Sequence, residues 1–218
     1  MTAAETTDDS PLALLHSRIE RYYSAKIARH GPTPAGVDWT CEPTQQLRFV
    51  QMLRMCNMKE PLSIDDWGCG YGALLGFIGK RYPDARVDYV GIDLSPAMIG
   101  QAKALWERKQ NAAFHTGDCS PRVADFGVAS GIFNVRIDEP LALWEHFVAH
   151  TLRKMAQSSR IGIAVNFLSP LPPDIESKPE LYRPDPKQWV AFCESELGLK
   201  VTLLDRYGMR EVTLHARH

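Results

Sequence analysis

Three short stretches carry residue types and spacings suited to gripping a nucleoside-bearing ligand. The first is Ile64-Asp65-Asp66-Trp67-Gly68-Cys69-Gly70-Tyr71-Gly72. An apolar run ends there in a glycine cluster, and a helical pattern follows. Glycines permit a tight turn and a close ligand approach, and a helix start behind them offers unpaired N–H groups. Gly68, Gly70 and Ala73 also satisfy the relaxed dinucleotide pattern GxGxxA, which alone is weak. Asp66, two residues before the first glycine, repels a pyrophosphate and attracts an ammonium. The plainer reading is an acid that caps the next helix or is simply solvated. The second stretch is Val90-Gly91-Ile92-Asp93-Leu94-Ser95, with Asp93 25 residues beyond Gly68. A carboxylate at a second strand end accepts both hydroxyls of a ribose diol; equally, acids are favoured where helices begin. The third is His115-Thr116-Gly117-Asp118-Cys119. Its acid suits an exocyclic adenine amine, although Gly-Asp is also a common turn.

These stretches need a scaffold, and the chain reads as one. Apolar segments at 62–67, 87–92, 113–115, 125–131 and 161–167 alternate with helical patterns at 73–82, 96–109, 141–155 and 186–197. Such alternation implies βαβ crossovers and a mainly parallel sheet. Two terminal strands, 200–206 and 211–216, are joined through Tyr207-Gly208-Met209, a connection short enough for a hairpin. The expected architecture is α/β: a doubly wound, mainly parallel seven-stranded sheet with a terminal antiparallel hairpin strand. An N-terminal helical cap precedes it, with helices at 11–29 and 43–58 and a Gly- and Pro-rich loop from His30 to Gly36. The expected division is a disordered tip (1–10) and cap over 1–58, then a core over 59–218.

At 218 residues, 44% hydrophobic and 23% charged, the composition is that of one globular domain. A net charge of −1 offers no field for a phosphate backbone, so no nucleic-acid partner is expected. Five cysteines with no CxxC spacing disfavour a disulfide framework and a structural zinc site, and fit a cytoplasmic protein. The polar, acidic first ten residues lack signal-peptide order, and no apolar run reaches membrane-span length, so no membrane partner is expected.

With the three stretches in this order, the chain resembles class I (Rossmann-like) S-adenosylmethionine-dependent methyltransferases of the small-molecule type over roughly residues 60–216. The resemblance implies that Asp66 and the turn Gly68, Cys69, Gly70 and Gly72 hold the methionine part of S-adenosylmethionine. Asp93 would bind the ribose. Leu94 and Met98 would pack on the adenine. Asp118 would take its amine, beside the Cys119 backbone, and Ser130 with Gly131 would line the methionine end. The segment His30–Trp39, followed by Gln45, Arg48 and Phe49, resembles one that precedes the core in some bacterial small-molecule methyltransferases. There Arg48 would pair the cofactor carboxylate, and Trp39 or Tyr22 would close over it; each is equally a residue packed for stability. The chain lacks the Asn-Pro-Pro-Tyr type of motif that nucleic-acid amino-methyltransferases carry after the fourth strand, and reads Gly131-Ile132-Phe133-Asn134-Val135 instead. Asp125 and Asp138 are badly placed for a catechol-type metal site, so no metal is expected.

Ligands of open α/β sheets bind beyond the C-terminal strand ends. That places the methyl acceptor near Tyr22, Phe133, Asn134, Asn166 and Phe167, with selectivity expected in residues 11–45 and the Pro-rich loop 169–184. Tyr22, Tyr23, His30, His146 and His150 are candidate bases, but none has diagnostic spacing. His146 and His150, four apart, read more simply as a solvated helix face. Two rivals stand beside methyl transfer: a nicotinamide-dependent oxidoreductase and a non-catalytic S-adenosylmethionine-binding subunit.

Overall fold

The computed structural model describes residues 10–218. The tip expected to be disordered lies outside the described residues, apart from Ser10, which opens the first helix. The helices are α1 (Ser10–His30), α2 (Glu42–Leu53), α3 (Ala73–Arg81), α4 (Pro96–Trp106), α5 (Leu141–Gln157) and α6 (Pro186–Ser195), with a 3-10 turn at Pro34–Val37. The strands are β1 (Leu62–Trp67), β2 (Val87–Asp93), β3 (Ala112–Thr116), β4 (Ala124–Ala129), β5 (Ser159–Leu168), β6 (Lys200–Leu204) and β7 (Glu211–Arg217). They form one seven-stranded sheet in the order β3-β2-β1-β4-β5-β7-β6. The first five are parallel, and β7 runs antiparallel to both β5 and β6. This is the doubly wound sheet with a reversed hairpin strand that the alternating pattern predicts.

β1 sits mid-sheet and is buried along its whole length, so its acids need partners. Asp65 accepts hydrogen bonds from Ser120 Oγ at 2.5 Å and Arg122 Nε at 2.8 Å. Asp66 accepts one from the Tyr89 hydroxyl at 2.6 Å. Two cores flank the sheet, one built on α1, α5 and α6 and the other on α2, α3 and α4.

The cap is tied down at several points. Arg18 of α1 forks onto Glu139 at 2.7 and 2.9 Å, and Ser24 Oγ lies 2.7 Å from Ser95 Oγ at the head of α4. α1 thus bridges the β2–α4 and β4–α5 connections across the sheet's C-terminal edge. α2 stops at Leu53, five residues short of the expected end. The chain turns there because Met55 is buried and Arg217 Nη2 donates to its carbonyl at 2.5 Å. β4 stops at Ala129, and the chain leaves it through Ser130 and a positive-φ Gly131 (82°).

Candidate active site

The strand order reverses between β1 and β4, and a cavity of about 1090 Å³ opens there at the strands' C-terminal ends. Its floor is Asp66, Trp67 and the turn Gly68–Gly70. Asp93, Leu94, Met98, Gly117 and Asp118 form one side. The other is Ser130, Gly131, Ile132, Asn134 and Val135, with Phe147 and Thr151 of α5 beyond. Ile19 and Tyr23 of α1, with Val37, Asp38, Trp39 and Gln45, roof it.

The turn is pinned by Gly68 N and Cys69 N, which donate to Ile92 O at 2.7 and 3.0 Å. Gly68 and Gly70 adopt φ of 70° and 55°. A Cβ on Gly68 would fall 2.1 Å from Ile132 Cγ2, and one on Gly70 2.9 Å from Val37 Cγ1. Gly68→Ala is therefore expected to lose about 1–2 kcal/mol from the left-handed backbone alone and to weaken ligand binding. Thermal unfolding and calorimetric titration check both; unchanged values would show that the turn tolerates a side chain.

Asp93 is held ready: its two oxygens accept from Gly70 N at 2.9 Å and Ser95 N at 2.8 Å, and lone pairs remain for a ligand. Burial pushes its carboxyl up to about 6, against the pull of those two N–H groups. Burial likewise pushes Asp66 up to about 7; the Tyr89 hydroxyl opposes this and the Asp93 charge adds to it. Asp118 goes the other way. Burial would raise it, but the Lys154 hydrogen bond at 2.6 Å and its charge, with Cys119 and His16, bring it below the usual carboxylate range. Asp38 is left-handed (φ 60°) and takes the Tyr22 hydroxyl and Lys26 Nζ at 2.5 Å each. All four lining charges are acids, and no lysine, arginine or histidine lines the cavity among the described residues.

Of the residues singled out from the sequence, Asp66, Gly68, Cys69, Gly70, Asp93, Leu94, Met98, Asp118, Ser130, Trp39 and Asn134 line this one cavity. Others stand elsewhere, for identifiable reasons. Gly72 (φ 81°) makes room for the Trp106 indole, whose Nε1 would lie 2.4 Å from an added Cβ. Cys119, expected to contribute its backbone, is next to lining Asp118 but is not itself among the lining residues, and its side chain is exposed. Arg48 does not reach the wall, because Glu211 captures two of its guanidinium nitrogens and Trp39 stacks on it at 3.4 Å. Tyr22 turns its hydroxyl to Asp38, while Tyr23 faces the cavity, its hydroxyl held protonated by burial. Phe133 and Phe167 stack at 5.4 Å behind the wall, with Trp189 on the far side of Phe167 at 5.8 Å. Asn166 is also behind, accepting from Gly131 N at 2.7 Å. Nothing from loop 169–184 lines the cavity; Leu181 bridges to Val135 and backs the wall instead.

Sequence reasoning covered Ile19, Val37 and Asp38 only within the broad span 11–45, and passed over Phe147 and Thr151. Phe147 and Thr151 are four apart on α5 and share its buried stripe with Val148 and Leu152, so their pattern reads only as core. Asp38 alone left a signal, an acid inside a Gly/Pro loop. Neither His146 nor His150 lines the cavity. No group of three or more His, Cys, Asp or Glu placed to hold a metal occurs among the described residues, and no described helix is long and apolar enough to cross a membrane.

A sheet of this order with an acid-lined cavity at its switch point defines a Rossmann-like nucleoside-binding protein. Known proteins narrow the class. A methyltransferase-domain family matches residues 64–160. A Mycobacterium tuberculosis protein named as a methyltransferase is 37% identical over 165 residues, 76% of this chain and 98% of the relative. The trans-aconitate 2-methyltransferase of Methylobacterium radiotolerans is 37% identical over 59 residues, 27% of this chain and 22% of that protein. An S-adenosylmethionine-dependent methyltransferase from Aquifex aeolicus superposes with a TM-score of 0.56 at 16% identity, covering 93% of this chain and 97% of that one. The chain belongs to the class I S-adenosylmethionine-dependent methyltransferases. It is therefore a methyltransferase, and the oxidoreductase and non-catalytic readings fall away.

Proposed function

We propose that this enzyme moves the methyl group of S-adenosylmethionine onto a small-molecule acceptor held in the same cavity. The observation that carries the reading is the cavity's two-part lining: an acid-rich half around the glycine turn, and an apolar half under α1 and α5. Four acids without a lining base suit a cationic cofactor. The small-molecule acceptor is further supported by the name of the trans-aconitate enzyme. A near-neutral net charge and five free cysteines support a cytoplasmic reaction without nucleic-acid or membrane partners.

When bound, S-adenosylmethionine supplies a methyl group on a sulfonium, already activated for in-line displacement. The chain's part is positioning and exclusion of water. Asp66 would hold the amino group over the Gly68–Gly70 turn, and Asp93 the ribose hydroxyls. Leu94 and Met98 would pack on the adenine, Asp118 would meet its amine, and Ser130 would flank the methionine end. Trp39 covers Gly131 closely; a Cβ there would lie 2.3 Å from the indole. It shields that end together with Ile19 and Tyr23.

Asp93→Ala tests the assignment. It removes charge-assisted hydrogen bonds worth about 1.5–3 kcal/mol each, so S-adenosylhomocysteine affinity should fall at least about tenfold while the fold survives. Calorimetric titration with circular dichroism measures both. An unchanged dissociation constant would leave Asp93 as a turn-stabilising acid only.

A further inference from the structure

Four of the buried side-chain polar atoms without a partner among the described residues sit on cavity-lining residues: Asn134 Nδ2 and Oδ1, Ser130 Oγ and Trp67 Nε1. Native proteins seldom leave such atoms unpaired, because their desolvation then goes uncompensated. Asn134 is only 4% exposed, and its backbone is tightly held. Its N–H donates to Gly131 O at 3.2 Å, and its carbonyl accepts from Tyr182 N at 2.9 Å. The Val135–Leu181 bridge fixes the next residue. The amide thus stands on a rigid mount beside Gly131, with Nδ2 3.6 Å from that residue's Cβ position.

Its surroundings are apolar or acidic. Ile19, Tyr23, Ile132, Val135 and Phe147 line the same cavity, as does Asp38. Lys26 is paired with Asp38 and Lys154 with Asp118. Among the described residues, a carboxylate or phosphate entering here would find no lysine, arginine or histidine in the lining, and two of its acids, Asp66 and Asp93, have no cation paired with them. An ammonium would be buried against apolar side chains. A hydroxyl or amide both donates and accepts, and so satisfies Asn134 and Ser130 together.

We infer that the methyl acceptor is an uncharged molecule with a hydroxyl or amide on an apolar body, recognised by Asn134 with Ser130, and that anionic acceptors are refused. This parts the chain from the enzyme named for trans-aconitate, whose acceptor is a polycarboxylate. The inference rests on the acceptor lying in this cavity.

Wild type, Asn134→Leu and Asn134→Asp are each first titrated with S-adenosylhomocysteine, then saturated with it. Saturation-transfer NMR follows with matched probes: catechol and 4-hydroxybenzamide as neutrals, 4-hydroxybenzoate and trans-aconitate as anions, benzylamine as a cation. The neutral probes should bind wild type and weaken about tenfold in Asn134→Leu. The anions should not bind, and Asn134→Asp should gain benzylamine. Anions binding as well as neutrals, neutrals failing to bind, or neutrals indifferent to both substitutions would each overturn the inference. Failure of S-adenosylhomocysteine to bind wild type would instead strike the cavity's assignment in the proposed function.

Discussion

Glu211→Ala should cost the protein about 3–5 kcal/mol of stability, the range for stranding one member of a buried ion pair. For a chain of this size that is a melting temperature lower by roughly 6–20 °C. Glu211 opens β7 at 3% exposure, and its partner Arg48 on α2 is 4% exposed. The carboxylate accepts from Arg48 Nε and Nη2, and from Asn166 Nδ2 at 3.1 Å. Its loss leaves a guanidinium in a dry site, stacked on Trp39 with one nitrogen already unpartnered. The damage runs on to the cavity, because Asn166 also holds Gly131 N and Trp39 roofs Gly131. Denaturant unfolding of the single variant and of Arg48→Met/Glu211→Leu separates the causes. The double variant replaces the charges with apolar volume and should recover most of the loss. If it is as unstable as the single variant, the pair's charge is not what Glu211 contributes.

That pair also marks where the sequence stops being legible. The glycine turn, Asp93 and Asp118 were readable because each follows a strand directly, so strand order alone brings them to one edge. The reversed hairpin was readable because a short, Gly-containing connection joined its strands. Arg48 and Glu211 lie 163 residues apart, and no local pattern couples them. From sequence, an arginine near a cofactor site reads as a ligand; its partner is set by α2 packing on β5 and β7. Gly72 shows the same limit in miniature. It looks like part of the ligand turn, and the Trp106 indole, 34 positions on, is what needs its missing side chain. Loop 169–184 had the length and apolar content of a binding element. It spends them on Tyr182, buried against Phe167 and bonded to Glu145 and Trp189, and so supports the wall from behind. What hid this part of the cavity lining is that Phe147 and Thr151 obey the same helical period as the core around them.

Affinity for S-adenosylhomocysteine should climb steeply between pH 5 and 7.5, and protons should leave as it binds. Burial lifts Asp66 to about 7 and Asp93 to about 6, from an ordinary value of 3.8. Both acids therefore keep their protons, in the ligand-free fold, at pH values where the unfolded chain has released them. The sign follows: between about pH 4 and 7 the folded state binds more protons, so ligand-free stability falls as pH rises. Binding works against this, because the ligand's amino group stays charged throughout this range and, like the ribose diol, prefers ionised carboxylates. Below the raised values each pH unit should cost roughly tenfold in affinity for each group that must ionise first. The two acids interact, so the profile reports the pair. Calorimetry in buffers of different ionisation enthalpy counts the released protons, and thermal scans follow the ligand-free slope. Asp66→Asn should weaken binding at pH 7.5 and remove the upper part of the pH dependence, leaving the portion due to Asp93. An affinity that stays level from pH 5 to 7.5, with no proton released, would mean that neither carboxylate changes state on binding and that the acid-rich floor only shapes the cavity.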